Sequence, residues 1–185
     1  MSVTASRATA RAGLGAALLT GAGIAVVLGV YAGLHDPAGR PLSTFGFSGM
    51  LQMKAWFTTA AAALLVVQVL TALRMWGRLG AGAVAVWVGP VHRWSGAVAF
   101  VLTLPPAVHC LWALGFAGDS PRALVHSVVG CLFYGAYAAK MLGLRLPGLP
   151  RWALPVLGGL VLTLLTLVWL TSSLWFFTRS GLPLT

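Results

Sequence analysis

Acidic side chains are almost absent from this chain: Asp36 and Asp119 are the only two in 185 residues, and charged residues of both signs make up 8%. An ordinary soluble domain carries about 25%. A chain this poor in charge cannot dress a water-facing surface, and the 59% of hydrophobic residues needs another solvent. Cysteine is scarce as well. Cys110 and Cys131 are the only two, and they form neither Cys-x-x-Cys nor Cys-x-x-Cys-His. That spacing excludes a zinc site, a thioredoxin-like motif and covalent c-type haem. Both thiols read as small apolar groups inside helices. Low-complexity segments, internal repeats, strand-like alternation and nucleotide, flavin or iron–sulfur motifs are missing too.

Long apolar runs are what the chain has. Five are long enough to cross a hydrocarbon core of about 30 Å, which takes roughly 20 helical residues. They lie near Gly13–Leu34, Met50–Leu73, Arg93–Phe116, Ala123–Leu144 and Trp152–Phe177. The fold class expected is all-α, a five-transmembrane-helix bundle forming one domain over residues 1–185. The excess of basic residues sorts by side. Arg7, Arg11, Arg74, Arg78, Arg93, Lys140, Arg145 and Arg151 share one side of alternating helices; Arg40, Lys54, Arg122 and Arg179 share the other with both acids. This positive-inside pattern predicts a cytoplasmic N-terminus and an outside C-terminus. The net charge of +10 then records topology and anionic lipid, not nucleic acid. The first run is longer than a signal-peptide core of about 7–15 residues, so it reads as a retained helix. A bacterial plasma membrane is the expected location.

Small residues at Gly13, Gly15, Gly21, Gly23 and Gly29 predict close packing of the first helix. The inner loop Arg74–His92 is Gly-rich and half apolar, and is expected along the membrane interface. The turn Gly115–Arg122 is short, which predicts that the third and fourth helices are antiparallel neighbours. His109 and His126 lie on these two helices, about 10 Å and 7–8 Å in from the outer end at 1.5 Å per residue. Imidazoles are costly inside a bilayer and pair with something. Facing each other, they supply both axial positions of one haem iron; inter-helix hydrogen bonds or a proton path are the alternatives.

Around His126 the positions Gly130, Phe133, Tyr137 and Lys140 hold one helix face. Gly130 leaves room for a flat ring and Phe133 packs on its edge. Arg122 is the candidate partner of a propionate. Pro105 and Pro106 kink the helix one turn before His109. His92 and Lys140, with Met141 behind them, are the candidates for a second, inner haem; otherwise His92 is an interfacial histidine bonded to a neighbour. His35 reads as a solvated loop residue, Lys54 as snorkelling outward, and Gln68 as serving a quinone or an inter-helix bond.

At His92-Arg93-Trp94-Ser95-Gly96, with His109 and His126, the chain resembles the haem-b membrane cytochromes related to cytochrome b561 and the ferric reductase transmembrane domain. The resemblance covers about residues 50–145 and implies haem b between helix-borne histidines and electron transfer across the bilayer. The four paired histidines of a two-haem b561 are not all present. The His-Arg-x-Ser-Gly string also resembles the entry of the succinate dehydrogenase cytochrome b anchor, where Arg93 and Ser95 would lie near a quinone. As a whole the chain is similar to an uncharacterised family of small actinobacterial membrane proteins.

The expectation is a b-type cytochrome with haem between His109 and His126, relaying electrons between a quinone or cytoplasmic donor and an extracytoplasmic redox protein. Catalysis of its own or service as the cytochrome subunit of an oxidoreductase both fit. A structural subunit or a small proton or solute conduit are the alternatives. On the haem reading, His109→Ala or His126→Ala abolishes haem retention and His35→Ala does not, as pyridine haemochrome assay of the purified variants reports.

Overall fold

The computed structural model describes residues 3–182, with side chains from Thr9 onward, so the Arg7 side chain lies outside the described residues. Every regular element in it is helical. The helices are α1 (Val3–Leu34), α2 (Met50–Met75), α3 (Val88–His109), α4 (Pro121–Gly143) and α5 (Ala153–Trp169). α3 runs on through a π-turn at Cys110–Leu114, and α5 through a π-turn at Leu170–Leu174 into α6 (Trp175–Ser180). Four rods are long and apolar enough to cross a membrane: Thr9–Leu34, Met50–Met75, Val88–Leu114 and Ala153–Ser180. α4 is not among them, because His126, Ser127, Tyr134, Tyr137 and Lys140 interrupt its apolar run.

Local chemistry explains the helix ends. Ser120 accepts from Ala123 N at 3.3 Å and Pro121 occupies the first turn of α4, a cap followed by a pre-organised φ. At the other end of α2, Arg74 donates to the carbonyls of Leu79, Gly80, Ala81 and Ala83 at 2.8–3.3 Å, curling the inner loop around its guanidinium. α3 then starts at Val88, five residues before the sequence reading places it.

The helices close a ring. α1 packs on α4, α4 on α5, α5 on α2, α2 on α3, and the π-turn of α3 returns to α1. α3 and α4, expected as neighbours from their short turn, do meet through side chains, but their backbones do not approach as closely as those of the other adjacent pairs. The outer end of α1 is wedged beside that turn: Phe116 N donates to Ala32 O at 2.8 Å, and Ala38 N and Gly39 N donate to Trp112 O and Ala113 O at 3.1 and 3.0 Å. Gly115 has φ +70, and a Cβ there would meet Pro37 Cγ at 2.9 Å. Lower down, large side chains keep α3 and α4 apart. Phe100 stacks on Tyr137 with centroids 3.9 Å apart, and Tyr134 Oη donates to Thr103 O at 2.9 Å.

α1 reaches α4 through a stripe of small residues. Ala10, Ala17, Ala25 and Ala32 are buried along one face, with Gly21 among them. A Cβ at Gly21 would run into the backbone carbonyl of Gly135, and one at Gly135 into that of Gly21. Gly15 and Gly23 meet nothing within 4 Å. Of the five glycines expected to pack closely, Gly21 does so against backbone, Gly13 against Leu146 at 3.0 Å from where its Cβ would stand, and Gly29 only loosely against Cys131. Gly21→Leu or Gly135→Leu is therefore expected to destabilise the ring by about 1–3 kcal/mol or more, the usual overpacking range. Gly23→Leu is expected to be neutral, and thermal unfolding in detergent compares the three.

Candidate functional site

All five long helices border one internal chamber of about 120 Å³ towards the outer end of the ring. Leu28 and Ala32 of α1 and Leu165 and Val168 of α5 give it an apolar wall, while Lys54 and Thr58 face it from α2. α3 and its π-turn contribute Thr103, Pro106, Cys110 and Leu114; α4 contributes His126, Gly130, Cys131 and Phe133. Both π-turns border this space, through Cys110 on one and Ser172 on the other. Single-turn π-bulges inside α-helices concentrate at functional sites. α1 approaches α3 closely only around the π-turn, so the wall between them below it is the most loosely packed of the ring. Leu114 on that wall is 39% exposed.

The polar groups converge on Cys110. Its Sγ lies 3.8 Å from His126 Nε2, and Lys54 borders the same space from α2. The other ring nitrogen fixes the tautomer. Thr171 Oγ1 gives its single proton to Leu167 O at 2.7 Å, so it accepts from His126 Nδ1 at 3.0 Å. In the neutral ring Nε2 then carries a lone pair towards the chamber and the thiol. Arg122 holds the same threonine from behind, donating to Thr171 O at 2.7 Å while its guanidinium lies 3.9 Å over the Trp175 ring.

Lys54 is 7% exposed, which corrects the expectation that it snorkels outward. The outer loop folds back over the start of α2. Phe45 and Phe47 pack on Phe57 at 5.3 and 6.2 Å between centroids, and Ser48 N donates to Gln52 Oε1 at 3.1 Å. His35 is only part-solvated: it stacks on Tyr31 and donates from Nε2 to Trp112 O at 3.1 Å.

His109 holds that loop. It is buried, its Nδ1 donates to Pro105 O at 2.7 Å, and its Nε2 accepts from Leu42 N at 3.2 Å and Ser43 N at 3.4 Å. His126 borders the chamber and His109 does not. The axial pair expected from matched depth is therefore not assembled on one space. The chamber also compares in size with an apolar cavity of about 150 Å³ that takes benzene. The donor set and the volume do not fit a haem clamped between these two histidines. Gly130 and Phe133 do border the chamber, and a Cβ at Gly130 would meet nothing within 4 Å, so the open space expected there is present. Arg122 stands outside it.

At the inner end His92 Nδ1 donates to Thr71 Oγ1 at 2.8 Å, since that hydroxyl already gives its proton to Val67 O at 2.6 Å. Gln68 Nε2 donates to His92 O at 2.6 Å and Ser95 Oγ at 2.7 Å, the inter-helix bond foreseen for it. Lys140 lies close enough for its charge to act on His92. Among the described residues no group of three or more His, Cys, Asp or Glu is arranged to hold a metal ion. Cys110 and Thr171 were not legible as site residues. The signal for Thr171 is the hydroxyl run Thr171-Ser172-Ser173 inside an apolar helix; for Cys110 none stands out.

These features define a class, a multi-pass helical membrane protein with a polar cluster enclosed in an apolar ring. A family model described as a family of unknown function, DUF6529, matches residues 14–184, and the chain belongs to that family. No curated protein and no solved structure matches it. The family match makes no connection to cytochrome b561 or to the ferric reductases.

Replacing His109 by Ala removes an acceptor shared by two buried loop amides, at a cost of about 1–3 kcal/mol. Amide hydrogen exchange at Leu42 and Ser43 is expected to accelerate while the chamber keeps its structure. Unchanged exchange there would show that the loop is held by something else.

Proposed function

We propose that the chain is a membrane subunit of a redox complex whose chamber takes the head group of a lipid-soluble quinone. Lys54 is the observation that carries this reading. A cation 7% exposed among apolar helices is costly, and ionisable groups placed so are functional by default. It faces a chamber whose wall is mostly apolar, with Cys110 and His126 beside it and a few hydroxyls such as Thr58 and Ser172. A flat single ring with carbonyl oxygens suits that lining: the carbonyls accept from Lys54 and the ring lies against Phe133 and Leu165. The loosely packed side between α1 and α3 supports arrival from the bilayer, which selects a lipid-soluble ligand. No flavin, nucleotide or iron–sulfur motif is present, so a separate redox protein handles the electrons. The chain crosses a bacterial plasma membrane five times, α4 included, with the basic N-terminal side in the cytoplasm.

The orientation of His126 favours a second reading, a b-type cytochrome with haem on that residue, which requires the chamber to widen well beyond its volume of about 120 Å³. Thr171 orients the imidazole with Nε2 towards the chamber, and Gly130 leaves room beside it. A conduit is disfavoured, because the inner half of α3 is apolar from Val98 to Leu102 and offers no polar path.

The purified chain is expected to bind a short-chain benzoquinone reversibly, read by quenching of its tryptophans. Lys54→Met is expected to weaken binding about 10–100-fold, the worth of a hydrogen bond to a charged group at roughly 1.5–3 kcal/mol. Equal binding by wild type and Lys54→Met overturns the quinone reading. An absorbance spectrum of air-oxidised and dithionite-reduced protein, made with ample haem, separates the second reading. Six-coordinate b-type bands lost in His126→Ala establish the cytochrome.

A further inference from the structure

The geometry points to Cys110 as a nucleophilic thiol with His126 as its base, a site for covalent capture of a lipid-soluble, electron-poor ring such as a quinone. The choice of ring rests on the quinone reading above; the nucleophile itself does not. An activated nucleophile is recognised by a base within reach, oriented in turn by a third group. Here the three are Cys110, His126 and Thr171. The 3.8 Å from Sγ to Nε2 suits a sulfur donor, and the 3.0 Å from Nδ1 to Thr171 Oγ1 fixes which nitrogen accepts.

Two further observations separate this thiol from a buried bystander. Lys54, more than nine-tenths buried, brings a positive charge to the same chamber. A cation beside a cysteine favours the thiolate, the form that reacts. Cys131 borders the same chamber, five positions after His126 on α4, and among the described residues no histidine or lysine hydrogen-bonds to its sulfur. It serves as an internal control, a thiol on the same chamber that is no more deeply buried and lacks the base.

The step balances without an outside oxidant or reductant. The Sγ–H proton passes to His126 Nε2 as sulfur bonds to a ring carbon conjugated with the carbonyl. The carbon–carbon π pair moves to the carbonyl oxygen, where Lys54 holds the enolate. The imidazolium returns its proton to that oxygen, and loss of the ring proton from the attacked carbon to the second oxygen gives a thioether hydroquinone. The addition is redox-neutral overall: the two carbonyl carbons fall to the hydroquinone level, the attacked carbon exchanges its hydrogen for sulfur, and the sulfur keeps its oxidation state.

Full-length protein in detergent is treated with N-ethylmaleimide or 1,4-benzoquinone, and adducts are located by peptide mass spectrometry over time. Cys110 is expected to take one adduct per chain at least tenfold faster than Cys131. His126→Ala and Lys54→Met are each expected to slow Cys110 at least tenfold. Thr171→Val, a milder change that keeps the imidazole in place, is expected to slow it several-fold, which guards against misfolding of His126→Ala. Equal labelling of the two cysteines, no labelling of Cys110, or a Cys110 rate indifferent to Lys54→Met and Thr171→Val overturns the proposal. Reversible quinone binding by Cys110→Ser, with no adduct on the wild type, leaves the chamber reading standing and removes the nucleophile. Selective, base-dependent maleimide labelling without quinone binding does the reverse.

Discussion

Gly21 and Gly135 bring the backbones of α1 and α4 into direct contact, and a side chain on either would strike a carbonyl of the other. In a bilayer, where lipid tails are as apolar as leucine, helices associate through close packing and hydrogen bonds more than through a hydrophobic drive. This contact therefore governs where α1 lies. With α1 held on α4, its outer end reaches the turn between α3 and α4 and hydrogen-bonds there through Ala32 O. The wedge keeps α3 from closing onto α4. The space left over is the chamber, and its occupants are whatever the five helices present at that height.

The polar groups inside are arranged so that each hydroxyl is spent once. Thr71 and Thr171 both return their protons to carbonyls of their own helices and then accept from a histidine Nδ1, His92 at one end and His126 at the other. A hydroxyl with one proton can only accept from the imidazole after donating to the carbonyl, so each ring is fixed in a single tautomer. The same device serves two depths of the bundle with different results. Near the inner surface it ties α2 to α3. Beside the chamber it aims an unprotonated nitrogen at a thiol.

Depth and direction differ in how visible they are along a chain. That His109 and His126 share a depth follows from counting at about 1.5 Å per residue. Which way each imidazole turns depends on the π-turn that follows His109, on the loop amides of Leu42 and Ser43, and on Thr171 from another helix. The loop amides and Thr171 are distant in sequence from the imidazoles they orient. Lys54 shows the same limit: five residues into α2 it resembles an interfacial lysine, and only the folding back of the outer loop encloses it. Gly130 and Phe133 were legible because a vacancy and an aromatic edge on the His126 face need no partner to be recognised.

What the sequence determined by itself is the solvent and the local conformation: apolar runs of membrane-spanning length, almost no acids, helix caps at Ser120-Pro121, and basic residues gathered on one side. These follow from composition and spacing, which are properties of single segments. The tertiary structure decided the order of helices around the ring, the separation of α3 from α4, the assignment of His109 to the loop and the gathering of Cys110, His126 and Lys54. Those outcomes depend on rotation about helix axes and on contacts between residues as far apart as Gly21 and Gly135. A rotation of one helix by a single residue, about 100°, would leave every depth unchanged and take each of these groups out of the chamber.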